Sequence, residues 1–324
     1  MMKGLGVGVW TFGMGSERYV SDGYKPYLTL EERIAKVSTL KGISGIEVTF
    51  PNDVNADTAH KFRALINQYG LSLCGMGVEL VCDKEWQSGS FASPDPRRRE
   101  KAISLTRAAM DMAAEFGVSN VSLWLGQDGF DYVFQDDYAA AWQRLVEGVR
   151  EAANHRSDVT LGLEYKTSEP KMACYINSGG KALALAQATG KANVGITLDV
   201  GHAINARENP AEIAAVLLAE KRLFHIHLND NYSWSDDDMP VGSVHFLQYV
   251  ELLYWLKKLN YAGWLSLDLY PYRDDPIEAC QTSIHFVSKM QNLVNQPNFD
   301  RLIEENRASG SRSVRAVYEL LLGE

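Results

Sequence analysis

The chain is poor in cysteine and in basic charge, and each shortage argues against a class of protein. Its four cysteines, Cys74, Cys82, Cys174 and Cys280, include no C-x-x-C pair, so we expect reduced, structural thiols in a cytoplasmic protein. Acidic residues outnumber basic ones by 41 to 32, which gives a net charge of -9 at pH 7. Because a phosphate backbone is bound by a basic face, nucleic acid is not expected as a partner.

Long apolar runs are also missing. No segment approaches the roughly 18 uninterrupted apolar residues of a membrane span, so no association with a membrane is expected. The N-terminal run, M-M-K-G-L-G-V-G-V-W, is too short for the apolar part of a secretion signal. Internal repeats and low-complexity linkers are lacking too, and 324 residues can bury a large core without disulfides.

The sequence does contain a regular alternation of short apolar runs with helical patterns. Eight such runs predict eight strands: Leu5–Trp10, Gly45–Phe50, Leu71–Met76, Asn120–Leu125, Val159–Tyr165, Val194–Asp199, Leu223–Leu228 and Trp264–Leu269. Alternation of this kind is typical of a parallel sheet, and eight units close a barrel. We therefore predict an α/β fold, a (β/α)8 TIM barrel over residues 1–295 that carries the active site. Residues 296–324 are predicted to form a helical tail, which either packs on its own barrel or acts as an oligomerisation arm.

Four consecutive predicted strands end in residues that can bind a metal ion. These residues are Glu164, Asp199, His227 and Asp268. In a TIM barrel the C-terminal ends of all strands point to one mouth, so the four side chains are expected to converge. Three carboxylates and one imidazole suit Mn²⁺, Mg²⁺ or Co²⁺ better than a thiolate-preferring ion. Each residue alone has an ordinary structural explanation, but their conjunction favours a metal site.

A second set of ligand-type residues lies close to the first. His202 follows Asp199 by three positions, and Asp236 and Asp238 lie in the loop after the seventh strand. These residues could hold a second ion with Asp199 as a bridge, and two adjacent ions polarise a carbonyl and a hydroxyl at once. His225, on the same face as the seventh strand's ligand but deeper, is interpreted as a core residue or as one that orients a ligand.

Lys166 follows Glu164 by two positions and so shares its face of the strand. It is interpreted either as a counter-ion for the carboxylates or as a cation that stabilises an oxyanion on a sugar carbonyl. Trp10, Trp86 and Trp124 are expected at the same mouth. Their rings could bind a sugar and exclude water, although any one of them could equally fill the core.

Together these segments resemble the xylose isomerase-like TIM barrel family, and among its members xylose isomerase and L-rhamnose isomerase. The similarity runs through W-T-F-G, G-I-E-V-T-F, G-S-F-A-S-P-D, V-S-L-W-L-G-Q-D-G, E-Y-K, D-V-G-H, R-L-F-H-I-H-L-N, S-D-D-D and L-D-L-Y-P. It implies a sugar isomerase with two divalent ions (Mn, Mg or Co), assembled as a homodimer or homotetramer.

The resemblance also implies roles for individual residues. The ligands of a substrate-holding ion are matched by Glu164, Asp199, His227 and Asp268. Those of a second, catalytic ion are matched by Asp199, His202, Asp236 and Asp238. Lys166 matches a lysine that contacts the reacting oxygen, and Trp124 matches a tryptophan of the substrate pocket. Lys166, His202 and Asp236 are accordingly predicted to be catalytic.

The chain departs from xylose isomerases at several positions. Pro51 stands where those enzymes carry a ring-opening histidine. His227 replaces a metal-binding carboxylate, as in the similar rhamnose isomerases and ketose epimerases. The tail is also shorter. The resemblance to xylose isomerases therefore supports the class of reaction better than it supports xylose as the substrate.

The leading hypothesis is aldose–ketose isomerisation of a free, unphosphorylated sugar by a metal-assisted 1,2-hydride shift. The alternative is a one-metal ketose epimerase or related isomerase that transfers a proton through two carboxylates. A zinc endonuclease is disfavoured by the acidic charge and by the small number of histidines, seven in all. A non-catalytic sugar-binding barrel is disfavoured by the completeness of the ligand set.

Overall fold

The computed structural model describes residues 2–16, 20–169 and 172–323, and it confirms the predicted barrel. In chain order the strands are β1 (Gly4–Gly8), β2 (Ile43–Phe50), β3 (Ser72–Val78), β4 (Asn120–Trp124), β5 (Gly129–Phe130), β6 (Thr160–Glu164), β7 (Ser168–Glu169), β8 (Met172–Cys174), β9 (Val194–Asp199), β10 (Leu223–Leu228) and β11 (Trp264–Leu267). The barrel runs β1-β2-β3-β4-β6-β9-β10-β11 and closes on β1, with every neighbouring pair parallel. Its strands are buried on both faces, which explains why they read as apolar runs rather than alternating ones.

Helices connect the strands and cover the barrel. They are α1 (Leu30–Val37), α2 (Ala59–Gln68), α3 (Pro96–Glu115), α4 (Tyr138–Ala153), α5 (Gly179–Ala188), α6 (Val200–Asn205), α7 (Pro210–Ala219), α8 (Phe246–Lys258), α9 (Pro276–Val294), α10 (Phe299–Asn306) and α11 (Gly310–Leu322). Three of them begin with a proline directly after a capping side chain, namely Asp95, Asn209 or Asp275. Proline fits there because the first helical N–H has no partner within the helix.

The first strand ends earlier than the sequence predicts. β1 stops at Gly8, and Val9–Phe12 form a turn of 3-10 helix in which Gly13 N donates to Trp10 O at 2.7 Å. Trp10 therefore lies in the loop above the barrel and not in the strand.

A small sheet that the sequence does not predict joins two loops at the mouth. β5 pairs antiparallel with β8, and β8 pairs with β7. β5 follows β4, whereas β7 and β8 follow β6. This sheet ties together the loops after Trp124 and Lys166.

The C-terminal tail forms two helices, α10 and α11, where the sequence predicts one stretch from Phe299 to Leu322. The ring of Phe299 is buried against Tyr254 of α8, and Lys257 Nζ lies 2.7 Å from Asp300 Oδ1. The tail thus packs on its own barrel through α10. A role of α11 as an oligomerisation arm stays a prediction. The predicted barrel begins at residue 1 and the predicted tail ends at residue 324, and both of these residues lie outside the described ranges.

Across the described ranges, none of the helices combines the length and the apolar character needed to cross a membrane.

Candidate metal centre and active site

The structure brings the four predicted strand-end ligands together. Glu164 and Asp199 are the last residues of β6 and β9, His227 lies near the end of β10, and Asp268 directly follows β11. One ligand atom from each of the four lies within 4.8 Å of the others. His227 Nδ1 is 3.4 Å from Glu164 Oε1 and 3.1 Å from Asp268 Oδ2. The convergence follows from the parallel strands, whose C-terminal ends meet at one rim.

A second group shares Asp199 with the first and adds His202 and Asp236. Asp199 is the N-cap of α6, and its Oδ1 accepts a hydrogen bond from His202 N at 2.8 Å. His202 Nε2 lies 3.1 Å from Asp236 Oδ2. Asp238 lines the same cavity but lies outside this three-residue group. Its predicted role as a ligand therefore stays a prediction.

Lys166 points into this acidic group. Its Nζ lies 2.9 Å from Asp236 Oδ2 and 5.0 Å from the centroid of the Trp124 ring. Burial lowers the pKa of Lys166, but the charges of Asp236 and Asp238 outweigh burial and raise it above its ordinary value. The side chain is therefore a positively charged donor at neutral pH.

Two of the three predicted substrate-binding tryptophans line the cavity. Trp10 and Trp124 do so, and Trp10 Nε1 also donates to Asp268 Oδ1 at 2.6 Å. Trp86 does not line the cavity as described, and the expectation that it binds substrate is not met. The loop after β3 forms a short 3-10 turn, Lys84–Trp86, that buries the indole to 2% exposure, and Lys101 covers it with Nζ 5.6 Å from the ring centroid. Trp86 is a core residue.

The ligand groups form the inner wall of one large cavity. Its volume is about 710 Å³. In addition to the predicted residues, its lining includes Glu47, Asn205, Trp234 and Tyr272. Asp199 is fully buried beneath the cavity surface. A space of this size suits a small organic substrate.

Charge crowding makes the site attract protons or cations. Burial raises the pKa of Asp199 to about 7, helped by Asp236, Asp268 and Glu164 and opposed by His202. Burial lowers the pKa of His202, but Asp199 and Asp236 outweigh it and raise that pKa to about 9.

Two buried imidazole nitrogens indicate whether the residues of the site could bind a metal ion. His202 Nδ1 and His227 Nδ1 form no hydrogen bond with any described residue, yet both face carboxylates. Unpaired ring nitrogens among carboxylate oxygens are the donor set of a divalent cation that prefers oxygen ligands. The residues present fit such an ion.

Sequence reasoning missed two residues of the site. Glu47, in the middle of β2, lies between His225 and His227, and Asn229 Nδ2 donates to Asp199 Oδ2 at 2.7 Å. The signal for Glu47 was an acidic residue inside an apolar strand, where an unpaired charge is costly. Asn229 lay two positions beyond a predicted ligand, at the same mouth of the barrel.

A family model described as a xylose isomerase-like TIM barrel matches residues 34–290. The chain belongs to this family. The resemblance found in the motifs is thereby confirmed. A xylose isomerase of Thermus thermophilus is 25% identical to this xylose isomerase-like chain over 285 residues, covering 84% of the chain and 73% of the relative.

Several solved structures of similar fold carry the names of sugar epimerases. A D-tagatose 3-epimerase-like protein superposes with a TM-score of 0.71 at 19% identity and covers 90% of this chain and 98% of its own. An L-ribulose 3-epimerase gives 0.65 at 16% identity, with 96% and 99% covered. A 3-keto-D-glucoside 4-epimerase from E. coli gives 0.67 at 17% identity, with 89% and 99% covered. At these identities the likeness shows the xylose isomerase-like fold.

Proposed function

We propose that this xylose isomerase-like barrel is a divalent-metal-dependent sugar isomerase or epimerase acting on an unphosphorylated sugar. The observation that carries the proposal is the pair of ligand groups that share Asp199 and open into one cavity beside Lys166. The curated relative is named as a xylose isomerase, and three similar solved structures carry epimerase names. Both names describe rearrangement beside a sugar carbonyl.

The proposed ligands of the first ion are Glu164, Asp199, His227 and Asp268. Those of a second ion are Asp199, His202 and Asp236, with Asp238 as a further candidate. Bound there, Mn²⁺, Mg²⁺ or Co²⁺ would act as a Lewis acid toward the carbonyl and hydroxyl oxygens of the sugar. The carbonyl is then more electrophilic, and the proton on the carbon beside it more acidic.

Proton transfer through two carboxylates is the first candidate chemistry, and the epimerase names of the similar structures support it. Glu164 and Asp268 approach His227 from strands on its two sides, and both reach its Nδ1 within 3.4 Å. One carboxylate would take a proton from the carbon beside the carbonyl, and the other would return a proton to the opposite face. The configuration at that carbon is then inverted. Trp10 holds Asp268 in place through its indole N–H.

A 1,2-hydride shift is the second candidate, and the group around Lys166 favours it. In this reaction the hydrogen and its electron pair move between adjacent carbons while a proton moves between their oxygens. Lys166 Nζ would donate to the oxygen that becomes negative. The His202–Asp236 pair, 3.1 Å apart, lies beside it and would carry the hydroxyl proton.

The charges around the cavity support a neutral sugar and not a sugar phosphate. The described lining contains two Lys or Arg side chains, Arg33 and Lys166. Each is already paired with a carboxylate, Arg33 with Asp53 at 2.7 Å and Lys166 with Asp236 at 2.9 Å. A phosphate there would meet further acids, which disfavours its binding.

We also propose a homodimer or homotetramer, since α11 leaves the apolar side chains of Tyr318 and Leu322 exposed.

Proton NMR in D₂O tests the proposal and separates the two chemistries. A panel of free aldoses and ketoses is incubated with the protein and Mn²⁺, and in parallel with a chelator. Inversion of one carbon with deuterium uptake supports proton transfer. Aldose–ketose conversion without deuterium at the migrating carbon supports the hydride shift. If no sugar in the panel is converted in a metal-dependent way, the proposed function is wrong.

A further inference from the structure

Glu47 is a buried acid inside the barrel that bridges two histidines. It lies in β2, is 1% exposed, and belongs to the wall of the active-site cavity. Its Oε1 lies 2.5 Å from His225 Nε2, and its Oε2 lies 3.2 Å from His227 Nε2. A buried carboxylate is costly unless it is paired, and here both oxygens have an imidazole partner.

The contact with Glu47 decides which nitrogen of His227 faces the metal centre. Glu47 engages Nε2, so Nδ1 is the nitrogen that points at Glu164, 3.4 Å away, and Asp268, 3.1 Å away. A neutral imidazole carries one N–H, and a carboxylate acceptor keeps that hydrogen on the nitrogen it contacts. The lone pair of Nδ1 is then directed at the cation.

We infer that Glu47 is a positioning residue that fixes the tautomer and orientation of His227 for binding of a divalent cation. The inference rests on the proposed function, because it requires His227 to be a ligand. His225 completes the arrangement by holding the other oxygen of Glu47, so the carboxylate cannot rotate away. The rings of His225 and His227 also meet edge to face, with centroids 5.2 Å apart. The three side chains form one rigid unit from β10 to β2.

The backbone of β3 leaves space for this unit. Gly75 is paired with Glu47 on the neighbouring strand, and a Cβ built there would be 2.8 Å from Glu47 Oε2 and 2.9 Å from its Cδ. Any larger residue at position 75 requires the Glu47 carboxylate to shift from the position in which it contacts His227. Gly75 therefore supplies a second perturbation that removes no polar group.

The three side chains Glu47, His225 and His227 could also hold a cation of their own. The distances favour hydrogen bonds, because 2.5 and 3.2 Å are direct contacts between carboxylate and imidazole. An ion between them would sit about 2.0–2.2 Å from each atom and separate the partners further. Titration with Mn²⁺ gives the number of ions bound by the wild type and by His225→Gln. If Glu47, His225 and His227 hold a cation of their own, the variant binds one ion fewer.

The test is Mn²⁺ binding by calorimetry to chelator-treated protein, with urea unfolding as a check on the fold. Glu47→Leu removes the acceptor, and its Mn²⁺ affinity should fall about 10- to 100-fold. Glu47→Gln keeps an acceptor oxygen for His227, so its loss should be several-fold smaller. Gly75→Ala should weaken affinity as well. Asp128→Asn, which changes a buried carboxylate away from the site, should bind Mn²⁺ like wild type.

Steady-state rates provide a second measurement of the effect of Glu47 on cation binding. At saturating Mn²⁺, Glu47→Gln should recover most of its kcat, since excess ion compensates for weaker binding. The inference is overturned if folded Glu47→Leu binds Mn²⁺ as tightly as wild type. If Glu47→Leu does not fold, wild-type affinity in both Glu47→Gln and Gly75→Ala overturns it. A wild-type protein that binds no Mn²⁺ contradicts the proposed function itself, which is a different result.

Discussion

Replacement of Lys166 by methionine should reduce turnover and at the same time tighten the binding of divalent cations. The Lys166 side chain is 8% exposed, and its Nζ lies 2.9 Å from Asp236 Oδ2. Methionine keeps an unbranched apolar stem that can pack against Trp124 but carries no charge. The substitution therefore isolates the contribution of the ammonium group.

The two expected effects have opposite signs and separate causes. Loss of one preorganised donor to a developing oxyanion costs about 10²- to 10³-fold in kcat, or about 2.7–4 kcal/mol. For cation binding, two unit charges 4 Å apart interact by about 4 kcal/mol at an effective dielectric constant of 20. Relief of only about 1 kcal/mol of this repulsion corresponds to roughly a fivefold gain in affinity.

The assay measures initial rates at saturating Mn²⁺ and Mn²⁺ affinity by calorimetry in the same preparations. Lys258→Met is the matched control, since Lys258 pairs with Glu304 at 2.7 Å in the tail and should affect neither quantity. A Lys166→Met protein that turns over at the wild-type rate refutes the oxyanion role. Cation affinity that stays the same or falls refutes the proposed proximity of the ammonium group to the ion.

Three further predictions concern charge and burial. Asp199→Asn can still cap α6 through Oδ1, so it should fold but bind Mn²⁺ weakly and show no turnover; normal turnover would exclude a ligand role. In the ion-free site the pKa of Asp199 is raised to about 7 and that of His202 to about 9, and ligands must be deprotonated, so Mn²⁺ affinity should rise on average about tenfold per pH unit between about pH 7 and 9. Calorimetry across that range checks this, and a flat profile would contradict it. Asp128→Ala should cost about 3 kcal/mol in urea unfolding, since Ser90 N and Ala92 N lose their buried acceptor, and a loss below 1 kcal/mol would show that water replaces it.

The barrel could be predicted because its signals are local and repeated. Each strand is an apolar run followed by a helix with its own start, such as the capping box of Thr29 and Glu32, which the structure contains. The short sheet of β5, β7 and β8 could not be predicted, since strands of two or three residues have no periodicity to read. The break between α10 and α11 was missed although the dipeptide Ser309–Gly310, where α11 begins, is a turn signal, because no proline interrupts the helical pattern there.

The convergence of Glu164, Asp199, His227 and Asp268 could be predicted because parallel strands bring their ends to one rim, whatever the distance in sequence. No comparable rule predicts the conformation of a loop, or which of its side chains face the cavity. Trp86 was placed at the mouth from its position after β3, but the loop turns its indole into the core. Glu47 was overlooked because its partners, His225 and His227, are about 180 positions away, and their contact depends on the closure of the barrel.

Asp199 has a consequence for how this chain can change over evolutionary time. One of its oxygens starts α6 by capping His202 N, and the other accepts from Asn229. The same carboxylate therefore caps α6 and belongs to the proposed metal centre. A substitution at position 199 consequently affects helix capping and cation binding together. A glutamate would keep the charge yet place it beyond reach of the cap. We expect position 199 to tolerate fewer substitutions than a residue under either constraint alone.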